Sequence, residues 1–373
     1  MRTSSGHVLA LLRERGAMSR AELARTIGIS SAALTKLSNV LIANGAIADE
    51  AGPAANGVGR PASMLTLVPG NSFVVGVHFG VGRVGVVITD SMLGIRARDN
   101  HLINLDASNA EDVIRLAVQA TNRLIEASGV PRGRIRGIGV GVPGRVDPSG
   151  RFSLNAFFSQ NQQGFPFADL LEEQLALPVA LSHNVTAMAL AEALYGAGKG
   201  VRTVLNLYLR RGLGAGIVER DSVGQTRSTA VELGHLRTDP HGKACFCGGT
   251  GCLETVLSEK ALLGHLGLKH VPPEGLLKAA MVDAAHWQQI YRQFLSVLAT
   301  AVTLLEPDLL LLSGHLGEAP AALLEQLRYD LPTRVMPQFQ GVRIEPAVLQ
   351  PDAGALGAAC IGLEQFVYQG SSQ

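Results

Sequence analysis

Three amphipathic helices are predicted within the first 45 residues of the chain. The first, over residues 7–14, keeps its apolar positions on one side and is stopped by a glycine. The second starts at a capping box, in which Ser19 and Glu22 can bond each other's backbone amides, and it ends at Gly28. The third is capped by Ser30 and has an apolar face. The positions predicted on that buried face are Leu34, Leu37, Val40 and Leu41.

Two strand-like runs follow, at residues 47–49 and 62–67, and they predict a two-stranded wing with a Gly/Pro-rich tip. Two helices joined by a short glycine-containing turn and followed by a wing are typical of a winged helix-turn-helix, which binds DNA. A small helical protein-interaction domain is the alternative. Small and hydroxyl side chains on the exposed face of the third helix suit base edges, and basic ones suit phosphates. The predicted DNA-contacting residues are Ser31, Ala32, Thr35, Lys36, Asn39 and Arg60.

The remaining chain alternates strand-like and helical patterns in two cycles. The first cycle has predicted strands at residues 73–80, 84–88, 96–102 and 135–142, with a helix at 109–128. The second has strands at 179–181, 204–209, 212–218 and 309–312 and helices at 185–194, 253–266 and 287–305, before a final helix at 355–366. Two such cycles predict an α/β body of two lobes with a cleft. The expected domains are a DNA-binding domain over 1–70, a small lobe over 71–182 with the C-terminal helix 353–373, and a large lobe over 183–352.

Composition narrows the class of protein. In 373 residues, 47% are hydrophobic and 17% are charged, so large cores can be buried and a disordered protein is excluded. The net charge is only +1, so contact with nucleic acid must be local. The segment before Pro69 carries seven Arg/Lys residues against four Asp/Glu residues. No apolar run is long enough to span a bilayer and no signal core is present, so we expect a cytoplasmic protein without a membrane partner.

Three of the four cysteines lie close together in a glycine-rich segment. Cys245, Cys247 and Cys252 form this cluster, whereas Cys360 stands alone. In a long chain without a signal peptide, such a cluster favours a metal site over disulfides. One imidazole would complete a closed tetrahedral set, and both His235 and His241 are available. The pattern therefore predicts a structural zinc site.

The sequence Glu232-x-Gly-His235, followed by Cys-x-Cys-Gly-x-x-Gly-Cys-x-Glu, resembles the signature of the ROK family (repressors, open reading frames, sugar kinases). The resemblance extends over almost the whole chain, through residues 142–147 and 352–359, and the N-terminal segment is similar to that of the family's transcriptional regulators, the NagC/XylR-type repressors. It implies a two-lobed, actin-like (ribonuclease H-like) ATPase fold. It also implies zinc bound by His235 and the three clustered cysteines, and Glu232, His235 and Glu254 near sugar hydroxyls.

The positions that match the kinase machinery of this family are substituted. Asn184 occupies the position of the catalytic base, and a neutral amide cannot accept a proton from the attacking hydroxyl. The two phosphate loops carry His78 and Arg211 where the family has Asp and Thr, and Ser313 replaces a glycine on the adenosine side. We therefore expect no kinase activity.

These features predict a DNA-binding transcriptional regulator of carbohydrate metabolism, with repression as the expected sign. A sugar or sugar derivative in the cleft would change the spacing of the DNA-binding domains in a homodimer or homotetramer on a double-stranded operator. The alternatives are an ATP-dependent sugar kinase with an appended DNA-binding domain, and a regulator whose signal is a protein partner. The predicted effector-binding residues are Asn155, His183, Asn184, Glu232, His235 and Glu254.

Overall fold

The computed structural model describes residues 3–51, 63–80, 82–103, 109–154, 164–221 and 224–369. They divide into two compact units. Unit 1 is formed by the residues up to Asn184 together with those from Gly354 onward, and unit 2 by Val185–Ala353. Within the described ranges no single helix has the length and apolarity needed to cross a membrane. The bent helix pair at residues 20–27 and 31–43 passes that test jointly, by length and composition only.

Three helices and a three-stranded sheet form the N-terminal part of unit 1. The helices are α1 (Ser4–Arg15), α2 (Arg20–Ile27) and α3 (Ser31–Ala43). The strands are β1 (Met18–Ser19), β2 (Ile47–Ala51) and β3 (Ser63–Leu67), in the antiparallel order β1-β3-β2. The three predicted helices are confirmed, and so is the capping box between Ser19 and Glu22. The axes of α2 and α3 bend by 114° across their short connection.

The buried face of α3 differs from the prediction at one position. Leu34 and Leu41 are buried as expected, but Val40 is 52% exposed, so its predicted burial was wrong. Ser38 takes the core position instead. Its hydroxyl donates to a backbone carbonyl one turn earlier and accepts a hydrogen bond from Arg20, which offsets the cost of burying a polar group.

A five-stranded sheet forms the body of unit 1. Its strands are β4 (Phe73–Gly80), β5 (Arg83–Asp90), β6 (Ile95–Leu102), β7 (Ile135–Val142) and β8 (Val179–His183), in the order β6-β5-β4-β7-β8. The helices α4 (Ala110–Ser128) and α5 (Phe167–Leu175) cover one face. There, alternate residues of the strands join one hydrophobic core, and the rings of Phe79 and Phe167 pack 4.7 Å apart. The predicted strands of the first cycle are confirmed.

Unit 2 repeats the same sheet topology. Its strands are β9 (Thr203–Leu209), β10 (Leu213–Arg220), β11 (Thr226–Val231), β12 (Leu309–Gly314) and β13 (Arg343–Pro346), in the order β11-β10-β9-β12-β13. The helices are α6 (Asn184–Tyr195), α7 (Glu259–Leu266), α8 (Leu276–Ala280), α9 (Ala284–Leu305) and α10 (Ala321–Asp330). In both sheets the order is third, second, first, fourth, fifth, with the first three strands antiparallel. The two units therefore share one architecture, but the strand predicted at 179–181 to open the second cycle is β8, the fifth strand of the first sheet.

The continuous helix predicted over 253–266 was wrong. Residues Leu253–Thr255 form a short 3₁₀ turn, and α7 begins only after Ser258. The Ser258 hydroxyl accepts a hydrogen bond from the amide of Ala261 and so caps α7 at this point. The apolar spacing predicted one continuous helix, but the cap at Ser258 starts a new one.

The chain returns to unit 1 as α11 (Ala353–Leu363), which continues into a π-helical turn, Glu364–Tyr368. This helix lies on the sheet face opposite α4 and crosses it at Gly139. A Cβ atom on Gly139 would lie only 2.6 Å from the backbone nitrogen of Gly362, so this approach of helix to strand requires glycine. The sheet of unit 1 is therefore covered on both faces.

Candidate functional site

Three thiols and one imidazole converge in unit 2. The ligand atoms of His235, Cys245, Cys247 and Cys252 all lie within 4.8 Å of one another, and His241 does not belong to this group. The Cys245 sulfur is 3.5 Å from His235 Nδ1, and the sulfurs of Cys247 and Cys252 are 3.7 Å apart. A tetrahedral zinc with Zn–S of about 2.3 Å and Zn–N of about 2.05 Å separates two sulfurs by about 3.8 Å, and sulfur from nitrogen by about 3.6 Å. The four residues therefore fit a metal site in both chemistry and spacing.

The backbone around this cluster is shaped by short turns. The amide of Gly248 donates to the carbonyl of Cys245, and the amide of Gly249 points at the sulfur of Cys247 at 3.4 Å. Gly251 has φ +70°, and a Cβ atom there would collide with the carbonyl oxygen of Asp239. The glycines of the sequence motif thus allow three sulfurs to face one point.

Cys247 and Cys252 differ in how easily their thiols ionise. Burial first, and then the neighbouring sulfurs of Cys247 and Cys245, raise the pKa of Cys252 to about 12. The Gly249 amide acts oppositely on Cys247, whose pKa it lowers. A bound divalent cation would offset the repulsion among three thiolates, as metal–thiolate sites require.

Two carboxylates flank the metal cluster. Glu232 Oε2 lies 4.0 Å from His235 Nε2, so the imidazole has a sulfur on one side and a carboxylate on the other. This distance is longer than a hydrogen bond, so Glu232 lies near the imidazole without bonding to it. Glu254 follows Cys252 on the 3₁₀ turn, and its Oε2 accepts a hydrogen bond of 2.8 Å from the amide of Leu213. Three predicted effector residues, Glu232, His235 and Glu254, therefore lie around one metal module in unit 2.

The other predicted effector residues lie elsewhere in the chain. His183 is the last residue of β8, paired with Val142, and Asn184 is the first residue of α6. Both stand at the carboxyl end of parallel strands in unit 1, where ligands commonly bind in α/β sheets. Asn155 falls outside the described residues.

A network of paired charges occupies the turn that matches the second phosphate loop. Arg210 lies 2.6 Å from Glu318, and the buried imidazole of His315 lies 2.9 Å from Glu259. The hydrogen bond from His315 is the main cause that lowers the pKa of Glu259, and the nearby arginines add to it. Arg211 lies 3.7 Å from the same carboxylate. Sequence reasoning missed this network because its members are separated by up to 108 residues and no local pattern connects them.

His78 matches the first phosphate loop and is buried in unit 1. Burial, with a smaller contribution from Arg83, lowers the pKa of His78 to about 4. Its Nε2 has no hydrogen-bond partner among the described residues. Gly354, near the start of α11, packs so closely on the imidazole that a Cβ atom would lie 2.4 Å from Nδ1. A neutral ring at this position cannot anchor a metal-bound nucleotide as a carboxylate does.

The predicted recognition face of α3 is open. Ser31, Ala32, Thr35, Lys36 and Asn39 are all exposed, whereas Arg60 lies outside the described residues. The Thr35 hydroxyl donates to the carbonyl of Ser31 at 2.8 Å. It keeps its acceptor capacity and its methyl group, which are the features that contact base edges.

Arg20 has a role that the sequence pattern did not reveal. Its guanidinium donates to Ser63 at 2.8 Å and to Asp49 at 2.9 Å, besides its hydrogen bond to Ser38. One side chain thereby joins α2, α3 and the β2–β3 hairpin. Its partners are 18 to 43 residues away along the chain, so only the fold brings them together.

Residues 74–365 match the family model described as the ROK family. The chain belongs to the ROK family. The DNA-binding transcriptional repressor Mlc of Escherichia coli K12 is 24% identical over 389 residues, covering 99% of this chain and 94% of that protein. The xylose repressor of Bacillus spizizenii is 24% identical and covers 94% of this chain and 92% of the repressor.

A kinase of the family matches a shorter part of the chain. The glucokinase of Thermotoga maritima is 29% identical and covers 79% of this chain and 98% of its own length. By contrast, a crystal structure of a ROK family transcriptional regulator, a homologue of E. coli Mlc, superposes with a TM-score of 0.79 at 22% identity. It covers 98% of this chain and 96% of the regulator. The ROK fold therefore accounts for the two sheets, and the regulators match the chain from end to end.

Proposed function

We propose that this ROK protein is a cytoplasmic DNA-binding transcriptional regulator, a repressor of carbohydrate metabolism controlled by a sugar or sugar derivative. The observation that carries the proposal is that repressors match 94–99% of the chain, whereas the glucokinase matches 79%. In the proposed division, residues 1–70 are a winged helix-turn-helix, 71–182 with 353–373 the small lobe, and 183–352 the large lobe.

The DNA-contacting surface in this proposal is the exposed face of α3. Its polar side chains lie beside the β2–β3 hairpin that Arg20 fastens to the helices. In this proposal α3 is the recognition helix and the hairpin is the wing, and this order of elements is typical of a winged helix-turn-helix. The proposed contacts are Ser31, Ala32, Thr35, Lys36, Asn39 and Arg60.

Selection of duplexes from a random-sequence pool by the intact chain tests this function. We expect enrichment of a two-half-site operator, bound by a homodimer or homotetramer, with affinity that falls steeply with salt. Lys36→Ala is expected to weaken binding about fivefold to tenfold and to reduce the salt slope by about 1, since one phosphate contact is lost. Lys199→Ala, an exposed lysine of unit 2, is the matched control. Absence of sequence-selective binding by the intact chain would refute the proposal.

The effector side of the proposal uses the same operator assay. D-glucose and D-xylose are the probes, because a ROK glucokinase and a xylose repressor are relatives. The proposed contacts are Glu232, His235 and Glu254 in unit 2, His183 and Asn184 in unit 1, and Asn155. A sugar that lowers operator affinity supports this assignment. Binding of neither sugar by calorimetry would favour the other candidate signal, a protein partner.

Zinc is the metal we propose for the four-residue cluster. His235 and three cysteines leave no open coordination position, which is typical of a structural site. When bound, the ion supplies folding energy and holds the Glu232 and Glu254 segments together. His235, Cys245, Cys247 and Cys252 would be its ligands.

We infer that the chain has no sugar kinase activity. The support is physical: an amide at Asn184, a buried neutral imidazole at His78, and a turn in which Arg210 and Arg211 pair with glutamates. An appended DNA-binding domain on an active kinase is the second candidate, favoured by the 29% identity to a glucokinase. ATP-dependent phosphorylation of either probe sugar by the intact chain would establish it.

A further inference from the structure

The first helix of unit 1 is tied to the C-terminal π-helical turn by a buried ion pair. Arg13 on α1 bonds the carboxylate of Glu364, and their side chains are only 2% and 12% exposed. The Arg13 guanidinium also lies over the ring of Tyr368, 4.5 Å from its centroid, where a cation–π attraction adds to the contact. Residues 351 positions apart in the chain thus form one polar contact inside the unit.

Tyr368 is also connected, through Ser91, to the linker that joins β3 to β4. The hydroxyl of Tyr368 donates to the carbonyl of Ser91, in the turn between β5 and β6. The amide and hydroxyl of Ser91 both donate to the carbonyl of Pro69, in the linker. The N-terminal segment is joined to the rest of unit 1 by the β3–β4 linker and by the Arg13–Glu364 ion pair. Both therefore lie near Tyr368.

A second contact lies at the N-terminal end of α1. The amide of Thr3 donates to the carbonyl of Gln369 at 3.0 Å, and its hydroxyl does so at 3.1 Å. Gly6 faces the carbonyl oxygen of Tyr368 so closely that a Cβ atom would collide with it. Contacts at residue 3, Gly6 and Arg13 thus hold α1 against the end of the C-terminal helix.

The chemistry of this contact favours a defined but reversible position. A buried charge without its partner is strongly destabilising, so a rotated or shifted α1 that leaves Arg13 or Glu364 buried alone is disfavoured. If α1 detaches fully, water hydrates both charges and recovers part of that free energy. A polar contact of this kind sets orientation, as a single buried polar residue sets register in a coiled coil.

We propose that Arg13 and Glu364 are positioning residues that fix the orientation of the DNA-binding segment on the body of unit 1. They do not touch DNA in this proposal, and they set which half-site spacing the assembled protein accepts. The inference rests on the proposed function, because half-site spacing has meaning only for a protein that binds an operator. The effect of the Arg13–Glu364 ion pair on α1 can be tested without DNA.

The experiment uses the full chain with Arg13→Glu, Glu364→Arg and the double charge swap. Arg15→Glu is the matched control, since Arg15 is the exposed arginine at the same helix end. Hydrogen–deuterium exchange reports α1 in the free protein. Operator affinity is measured for one half-site and for paired half-sites whose spacer is changed by 2 and 4 base pairs.

We expect Arg13→Glu and Glu364→Arg each to raise amide exchange in α1 about tenfold and to reduce discrimination between spacers by about tenfold, a common size for coupling between sites. Affinity for a single half-site stays within about twofold, because no DNA contact is lost. The charge swap restores both readouts. A role in stability alone would lower all affinities together and would not select among spacers.

Unchanged α1 exchange and unchanged spacer discrimination in both single variants would overturn the proposal. If the charge variants do not fold, Gly6→Ala tests the same contact, because its methyl group displaces α1 from Tyr368 while leaving every charge in place. Ser4→Ala is its control on the exposed side of α1. If the wild-type chain binds no operator, the proposed function fails, and the exchange data still decide whether the pair anchors α1.

Discussion

The metal module and the turn at Arg210–Gly212 are connected through Glu254, which bonds the residue after the turn, yet they are held together differently. On the module side, Glu254 bonds the amide of Leu213, beside four residues arranged for a metal ion. On the opposite side, arginine, histidine and glutamate side chains satisfy one another. The four residues of the module could hold an added ion, whereas the charged side chains of the turn pair with one another.

The difference is between four side chains that could take up an ion and charged side chains that already pair with one another. A phosphate loop must leave backbone amides and a cation site unpaired until nucleotide arrives. At Arg210 and Arg211 the local charges are already balanced by Glu318 and Glu259, so an incoming nucleotide would have to break these pairs. The proposed effector residues of unit 2, Glu232, His235 and Glu254, lie around the metal module.

The largest expected effect comes from opening the metal module. Cys247→Ser is predicted to weaken metal binding by more than about 100-fold, or ~3 kcal/mol, because even the outer partners of metal ligands contribute 10–100-fold. Stability falls with metal content, since binding free energy is folding free energy. Metal analysis and urea unfolding of the same samples measure both. Cys360→Ala is the control, being a buried thiol away from the cluster. Full stability without metal would contradict the comparison.

The burial of His78 predicts an effect of pH on the stability of the protein. Its pKa in the folded protein, about 4, lies below its ordinary value of 6.5, so the unfolded chain binds more protons between these pH values. Stability from this group is complete above pH 6.5 and is lost as the pH falls towards 4, by about 3 kcal/mol in total.

Urea unfolding at pH 7 and pH 4.5 measures this loss. His78→Gln, which cannot titrate, is expected to lose less stability than wild type over the same interval, because the only removed proton site is His78 itself. The difference in stability loss between the two proteins isolates His78, because the cysteines and carboxylates respond to acid equally in both. Equal losses in both proteins would show that His78 is not buried in its neutral form.

The smallest expected effect is a change that restores only one kinase residue. Asn184→Asp supplies a carboxylate at the base position, but His78 and the paired arginines remain. We expect ADP release with D-glucose and D-xylose to stay at background, because a base alone does not position a nucleotide. The Thermotoga maritima glucokinase is the positive control. Measurable turnover would show that the turn opens to nucleotide and would break the comparison between the two sides.

Local patterns predicted most of the fold because local physics decides it. The capping box at Ser19, the apolar run of β4 and the metal motif each contain their own cause within a few residues. The pattern failed where a polar residue overruled apolar spacing, as at Ser258 and at Ser38. It also left open which histidine completes the metal cluster, and the fold brings His235 to the sulfurs.

Long-range pairs were beyond the reach of sequence patterns. The partners of Arg13, Arg20 and Arg210 lie between 18 and 351 residues away, and each pair forms only when distant elements meet. A lone arginine on an apolar helix face, such as Arg13, is the one signal that could have drawn attention to such a contact. Its partner could not be named without the fold.

The closure of unit 1 by residues 354–369 also has a consequence for protein synthesis. The ribosome makes the N-terminal helices first, and at about 5–20 residues per second it needs roughly 15–60 s more to reach the segment that bonds Arg13 and Thr3. During that interval the nascent chain lacks the residues that bond Arg13 and Thr3. These contacts of the N-terminal segment can therefore form only at the end of synthesis, although its own residues are translated first.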